Sequence, residues 1–166
     1  MTANAPSARL HLVDENATLS LGADLARTMI QLNLFPALLL QGALGAGKTT
    51  FVRGLVQALP GGDLAEVASP SFNYMNSYPT RPEALHFDLY RLHHQSLNDE
   101  LLDAMQNTDT LVIIEWAEFY PERHRPQAYL FFQFSMALQG RDLSITAQGD
   151  DARLVLERLK RKTEDG

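Results

Sequence analysis

Eight consecutive residues, Gly42-Ala43-Leu44-Gly45-Ala46-Gly47-Lys48-Thr49, fit the pattern G-x-x-x-x-G-K-[ST]. Just before them Ala37-Leu38-Leu39-Leu40 is an apolar run of strand length, and just after them Thr50 to Leu59 reads as a helix that stops at Pro60-Gly61-Gly62. A glycine loop between a strand and a helix leaves few ways to fold the rest of the chain. Glycines let successive backbone N–H groups turn inward as an anion nest, and the helix behind adds the positive end of its dipole. The segment therefore predicts a phosphate cradle, which a flexible glycine turn without this framing would not. Lys48 can reach the β- and γ-phosphates of a nucleoside triphosphate, and the Thr49 hydroxyl can take a place on Mg²⁺.

Alternating β and α segments around the loop call for a parallel sheet core with helices on both faces. Leu10-His11-Leu12-Val13 suggests a first strand, followed by a helix with Thr18 as N-cap and Leu21, Leu25, Met29 and Leu32 as its apolar positions. Phe72, Tyr74 and Tyr78 alternate as in a half-buried strand, and the turn Pro79-Thr80-Arg81-Pro82 leads into Ala84 to Asp88, so a β-hairpin is expected. A short helix is expected over Leu97 to Gln106, and Thr110 to Glu115 is a buried strand ending on an acid. Ala128 to Phe134 and Asp142 to Ala147 read as two strands around Gln139-Gly140, before a last helix from about Asp151. The expected fold is α/β, a three-layer P-loop NTPase with a mixed, mostly parallel central sheet and antiparallel hairpin additions.

At 166 residues and 45% hydrophobic content the chain suits one domain, 1–166, with its core at about 10–160. The absence of cysteine excludes disulfides and thiolate–metal sites. No apolar stretch approaches the ~18 residues of a membrane span, and Met1 to Arg9 lacks the build of a signal peptide, so a cytoplasmic protein is expected. A net charge of −6 makes a poor stand-alone binder of nucleic acid. Basic residues do cluster between Arg153 and Lys162. With Leu154, Val155, Leu156 and Leu159 interleaved, that stretch reads as a solvated helix with a partly apolar face.

Beyond the loop, Glu115 is the first candidate for chemistry. Four apolar residues and an acid on a strand beside the loop strand would deliver a carboxylate to the Mg²⁺ shell; otherwise it is an ordinary strand-end acid. Asp88 ends a second apolar strand and could hold the metal's water shell or orient the attacking water, or merely anchor Arg91 or a turn. Ser69-Pro70-Ser71-Phe72 lies where switch loops of nucleotide hydrolases occur, and a Ser71 hydroxyl near the γ-phosphate would sense the nucleotide state. Trp116, next after Glu115, is expected to turn to the opposite face of its strand and into the core, with a partner contact as the alternative. The five histidines show no metal-ligand spacing.

Several fragments in order carry a resemblance: Gly42 to Thr50, Ser69-Pro70-Ser71-Phe72, His86-Phe87-Asp88-Leu89-Tyr90-Arg91-Leu92, Ile114-Glu115-Trp116-Ala117-Glu118 and the opening Asp14 to Leu19 with Leu21-Gly22. Together, from roughly Leu10 to Ala147, the chain resembles the TsaE (YjeE) family of small bacterial ATPases needed to make threonylcarbamoyladenosine in tRNA. The resemblance implies slow ATP hydrolysis with ATP and Mg²⁺ as ligands. It also implies work with the partner proteins TsaB and TsaD, with tRNA met only through them. It further implies phosphate contacts from Gly42, Leu44, Gly45, Ala46, Gly47, Lys48, Thr49 and Thr50, and Mg²⁺ held by Thr49 and Glu115. Lys48, Asp88, Glu115 and Ser71 would serve hydrolysis, and Glu15 and Arg141 would lie close to the nucleotide. Ser71 stands where the family more often has Thr, and Ser96 to Asp103 departs from the family's acidic, Gly-containing segment.

Two other classes compete. A small-molecule kinase would need an Arg-rich lid, for which Arg123-His124-Arg125 is the one candidate; a nucleotide-gated binding module would need no hydrolysis. A GTPase is disfavoured because no N-K-x-D motif occurs.

Overall fold

The computed structural model describes residues 6–70, 73–92, 96–97 and 99–164. Seven strands form one sheet: β1 (Ser7–Leu12), β2 (Ala37–Gln41), β3 (Met75–Tyr78), β4 (Glu83–Asp88), β5 (Thr110–Glu115), β6 (Tyr129–Met136) and β7 (Arg141–Gln148). Four helices accompany them: α1 (Glu15–Leu32), α2 (Lys48–Ala58), α3 (Asp99–Gln106) and α4 (Asp150–Glu164). The strand order is β1-β7-β6-β2-β5-β4-β3. The central strands β6, β2, β5 and β4 run parallel; β3 on one edge and β7 on the other run against them, and the edge strand β1 pairs antiparallel with β7. The expected mixed α/β sheet is present, with both hairpins, β3–β4 and β6–β7.

Strands buried on both faces need unbroken apolar runs, and β2 is one. Leu38 and Leu40 join the core beneath α1, α2 and α4, while Leu39 points to the opposite core. That opposite core is thinner. It packs Leu101 and Ala104 of α3 and Tyr120 against Phe87, Val112 and Ile114. Beneath the larger layer, α1 and α2 approach through glycine. A Cβ on Gly22 would stand 2.3 Å from the Phe51 carbonyl oxygen, and one on Gly54 2.1 Å from that of Leu19.

Several local expectations are corrected. Asp14, not Thr18, caps α1: its carboxylate accepts from the Ala17 N–H, and Thr18 is buried within the helix. The first strand runs over Ser7–Leu12 and leaves Val13 exposed. Tyr74 lies outside β3 with φ 66°, and Phe72 is outside the described residues. Helix α3 begins at Asp99 rather than Leu97. On α4 the core takes Ala152, Val155, Leu156 and Leu159, and Leu154 faces solvent.

Candidate functional site

In an open α/β sheet, ligands sit in the crevice outside the carboxyl ends of the parallel strands. Here that crevice is a cleft of about 400 Å³ bordered by the loop between β2 and α2 and by the ends of β4 and β5. The loop's shape follows from its glycines: Gly42, Gly45 and Gly47 have φ of 154°, 76° and 107°. Gly47 is also the N-cap of α2, with no side-chain cap, so backbone N–H groups of the first turn remain to be satisfied. A Cβ added at Gly45 would meet nothing within 4 Å, but one at Gly47 would fall 2.0 Å from Nη1 of Arg141. Arg141, the first residue of β7, thus passes against the loop; Nη1 lies 3.4 Å from the Ala46 carbonyl oxygen. Its Nε is buried with no hydrogen-bond partner among the described residues.

The first residue of α2, Lys48, is 4% exposed and donates to the carbonyl oxygens of Gly42 (2.5 Å) and Ala43 (3.0 Å). Its ammonium also lies 4.3 Å from the centre of the Trp116 ring. Burial pushes its pKa below the ordinary 10.5, opposed by the negative fields of Glu115, Glu118 and Asp88. Glu118, nearby, is pushed up by burial, opposed by a backbone hydrogen bond and the Lys48 charge.

At the end of β5, Glu115 is buried and lines the cleft. Its Oε1 accepts from the Thr49 hydroxyl at 2.9 Å and lies 2.9 Å from Nε2 of His86. Asp88, opposite Glu115 in the β4–β5 register, accepts from the Ser69 hydroxyl (2.8 Å) and the Tyr90 N–H (2.9 Å). An ammonium, a hydroxyl and two carboxylates thus converge from one loop-helix junction and two strand ends. All the oxygen donors are hard, the set suited to a hard divalent cation.

Most residues singled out in the sequence meet here. Glu15, Leu44, Gly45, Gly47, Lys48, Thr49, Thr50, Asp88, Glu115 and Arg141 line the cleft, and Glu15 also reaches Arg53 at 3.6 Å. Gly42 and Ala46 do not line it; the first offers its carbonyl to Lys48 and the second is 1% exposed beneath the loop. Ser71 lies outside the described residues, while its neighbour Ser69 is in the cleft.

Trp116 has two roles. It packs half-buried against the thinner core, as expected, but its left-handed backbone (φ 59°) also sets the indole over Lys48 at the edge of the cleft. Tyr90 packs beside it, ring centres 4.8 Å apart. The lid candidate Arg123-His124-Arg125 is at the wrong end of the sheet. Arg125 lies over the rings of Tyr129 and Phe131, and Tyr129 pairs with Ala37 at the start of β2. His86 was not legible as a site neighbour, because only the β4–β5 pairing brings it to Glu115.

The family profile described as "Threonylcarbamoyl adenosine biosynthesis protein TsaE" matches residues 12–143. The chain belongs to the TsaE family. That membership gives it a role in threonylcarbamoyladenosine biosynthesis. Among TsaE relatives, one from Nostoc is 38% identical over 128 residues, covering 74% of this chain and 74% of its own. Another from Synechocystis is 40% identical over 126 residues, covering 72% and 76%. The crystal structure of Bacillus subtilis YdiB superposes with a TM-score of 0.76 at 24% identity, covering 98% of this chain and 99% of that one, and shares the fold. The TsaE match spans every element from the end of β1 to the start of β7, and therefore the whole cleft.

Proposed function

We propose that this TsaE-family chain is a P-loop ATPase that binds ATP and Mg²⁺ in the cleft beside Lys48, hydrolyses ATP slowly, and works with TsaB and TsaD on tRNA in the cytoplasm. The observation that carries this reading is the meeting of Lys48, Thr49, Asp88 and Glu115 in one cleft at the carboxyl ends of β2, β4 and β5. The fit is favourable in three further respects. Gly45 leaves open space where a side chain would intrude, the first turn of α2 presents backbone N–H groups, and Arg141 carries an unsatisfied buried Nε.

In this mechanism the loop amides and Lys48 bind the β- and γ-phosphates, Lys48 exchanging the carbonyls of Gly42 and Ala43 for phosphate oxygens. Thr49 and Glu115 would hold Mg²⁺, which supplies positive charge to the phosphate oxygens when bound. Asp88 orients the attacking water, and its bond from Ser69 ties that role to the 68–70 segment. Arg141 steadies the loop from behind and adds positive charge beside Gly47. No arginine finger can be named from the sequence, so turnover by the chain alone should be slow. The acidic balance of the chain leaves contact with tRNA to the partners. No helix among the described residues is long and apolar enough to cross a membrane.

The test is ATP turnover by the chain alone and with TsaB and TsaD, beside an assay of tRNA modification. Slow intrinsic hydrolysis and modification that depends on this chain are expected. Phosphate transfer to small metabolites faster than hydrolysis, or no turnover in any combination, would overturn the proposal.

A further inference from the structure

The buried side of the cleft contains a polar line that the proposed mechanism does not use. His86 is fully buried on β4, two residues before Asp88 and on the same face of the strand. An ionised carboxylate can only accept, so the 2.9 Å contact to Glu115 Oε1 requires the Nε2–H of His86 to donate. The other ring nitrogen, Nδ1, then accepts from the Tyr78 hydroxyl at 3.3 Å; that hydroxyl has one proton, so the Ala68 carbonyl oxygen 3.4 Å away competes for it and does not extend the chain of bonds. Tyr78 is itself 4% exposed on β3. From Thr49 on α2 the line therefore runs through Glu115 and His86 to Tyr78, which lies beside Ala68. The residue after Ala68, Ser69, holds Asp88.

Two donors, Thr49 and His86, meet on the same oxygen of Glu115. A carboxylate held by one donor can swing about its last torsion, which is broad. Held from the helix side and from the neighbouring strand at once, it presents its other oxygen to the cleft in one orientation. Partners of this kind behind a metal-binding group set its orientation, and their loss costs about 10–100-fold in metal affinity.

We propose that His86 is a positioning residue that fixes Glu115 for a divalent cation, and that Tyr78 fixes His86. This rests on the assignment of the cleft to ATP and Mg²⁺. It adds a residue whose role is exerted only through another side chain.

The experiment titrates Mg²⁺ against ATP binding by the full chain, read by the fluorescence of the single Trp116, in wild type, His86→Phe, His86→Gln and Tyr78→Phe. Each protein is also titrated with ATP in EDTA and melted. For His86→Phe the half-saturating Mg²⁺ concentration should rise about 10–100-fold while ATP affinity in EDTA holds, a split that general damage would not give. His86→Gln, which can still donate, should recover much of the loss, and Tyr78→Phe should shift the same midpoint by less. An unchanged Mg²⁺ midpoint in His86→Phe overturns the proposal. Should that variant fail to fold, an unchanged midpoint in Tyr78→Phe overturns it equally. Wild-type protein that binds no ATP under any condition overturns the cleft assignment and this inference together. Normal wild-type binding with indifferent variants rejects the role of His86 alone.

Discussion

Asp88 and Glu115 end neighbouring parallel strands in register, and both carboxylates are buried at the cleft, but they are held by different parts of the molecule. Glu115 takes its bonds from regular elements, the first turn of α2 and the middle of β4. Asp88 takes its bonds from irregular chain, Ser69 in the loop before β3 and the backbone of Tyr90 in a short 3-10 turn. Rigid supports suit a group that must hold a cation at fixed geometry. Loop supports suit a group whose orientation changes with what the cleft contains, since loops open at lower free energy than core elements. The same register thus yields one fixed carboxylate and one adjustable one.

The most drastic way to erase this contrast is to remove the ligand on which both groups are proposed to act. Lys48→Ala should abolish stabilisation by ATP, about 2.7 kcal/mol for wild type at a hundredfold excess over Kd, measured as a thermal shift. A wild-type shift retained in the variant would reject the phosphate site. Next in size, Glu115→Gln should lower turnover by about 10²-fold or more and remove the strengthening of ATP binding by Mg²⁺. Asp88→Asn should lower turnover by about 10²-fold yet leave that Mg²⁺ dependence intact. Equal loss of Mg²⁺ dependence in both would break the distinction between them.

A smaller effect tests the loop support. Ser69→Ala removes one hydrogen bond to a charged acceptor, and single-turnover rates should fall about tenfold with little change in melting temperature. The smallest concerns Lys48, on whose charge Glu115 acts more strongly than Asp88. Because its folded pKa is depressed, the unfolded chain binds more protons between that value and 10.5. Wild-type stability, relative to Lys48→Met without nucleotide, should therefore rise with pH through that window and level off above it. Chemical denaturation of both proteins across the alkaline range measures the difference, and a flat difference would contradict the burial of the ammonium.

How much could be read before any coordinates depends on the range of the forces involved. The loop at Gly42 to Thr49 and the strand ending at Glu115 were legible because glycine chemistry and apolar runs are local. Thr18 was mistaken for a cap because Asp14 four residues earlier has an equally good oxygen, and only the start of the helix decides between them. The core contact of Trp116 follows from strand alternation, but its reach over Lys48 does not, because a single left-handed residue bends the chain without a glycine to announce it. His86 was missed for a different reason. Its meaning depends on which residue β5 sets beside it, and pairing between strands leaves no mark on either segment alone.

The glycine contact between α1 and α2 bears on how this protein would fail. Gly22 and Gly54 lie well back from the cleft, yet a methyl group at either would strike the backbone of the opposite helix. The strain would lever α2 away from its neighbour and tilt the end that carries Lys48 and Thr49. An alanine at Gly54 is thus a simple route to a heat-sensitive allele: folded and working in the cold, and lost on modest warming without any change to a residue lining the cleft.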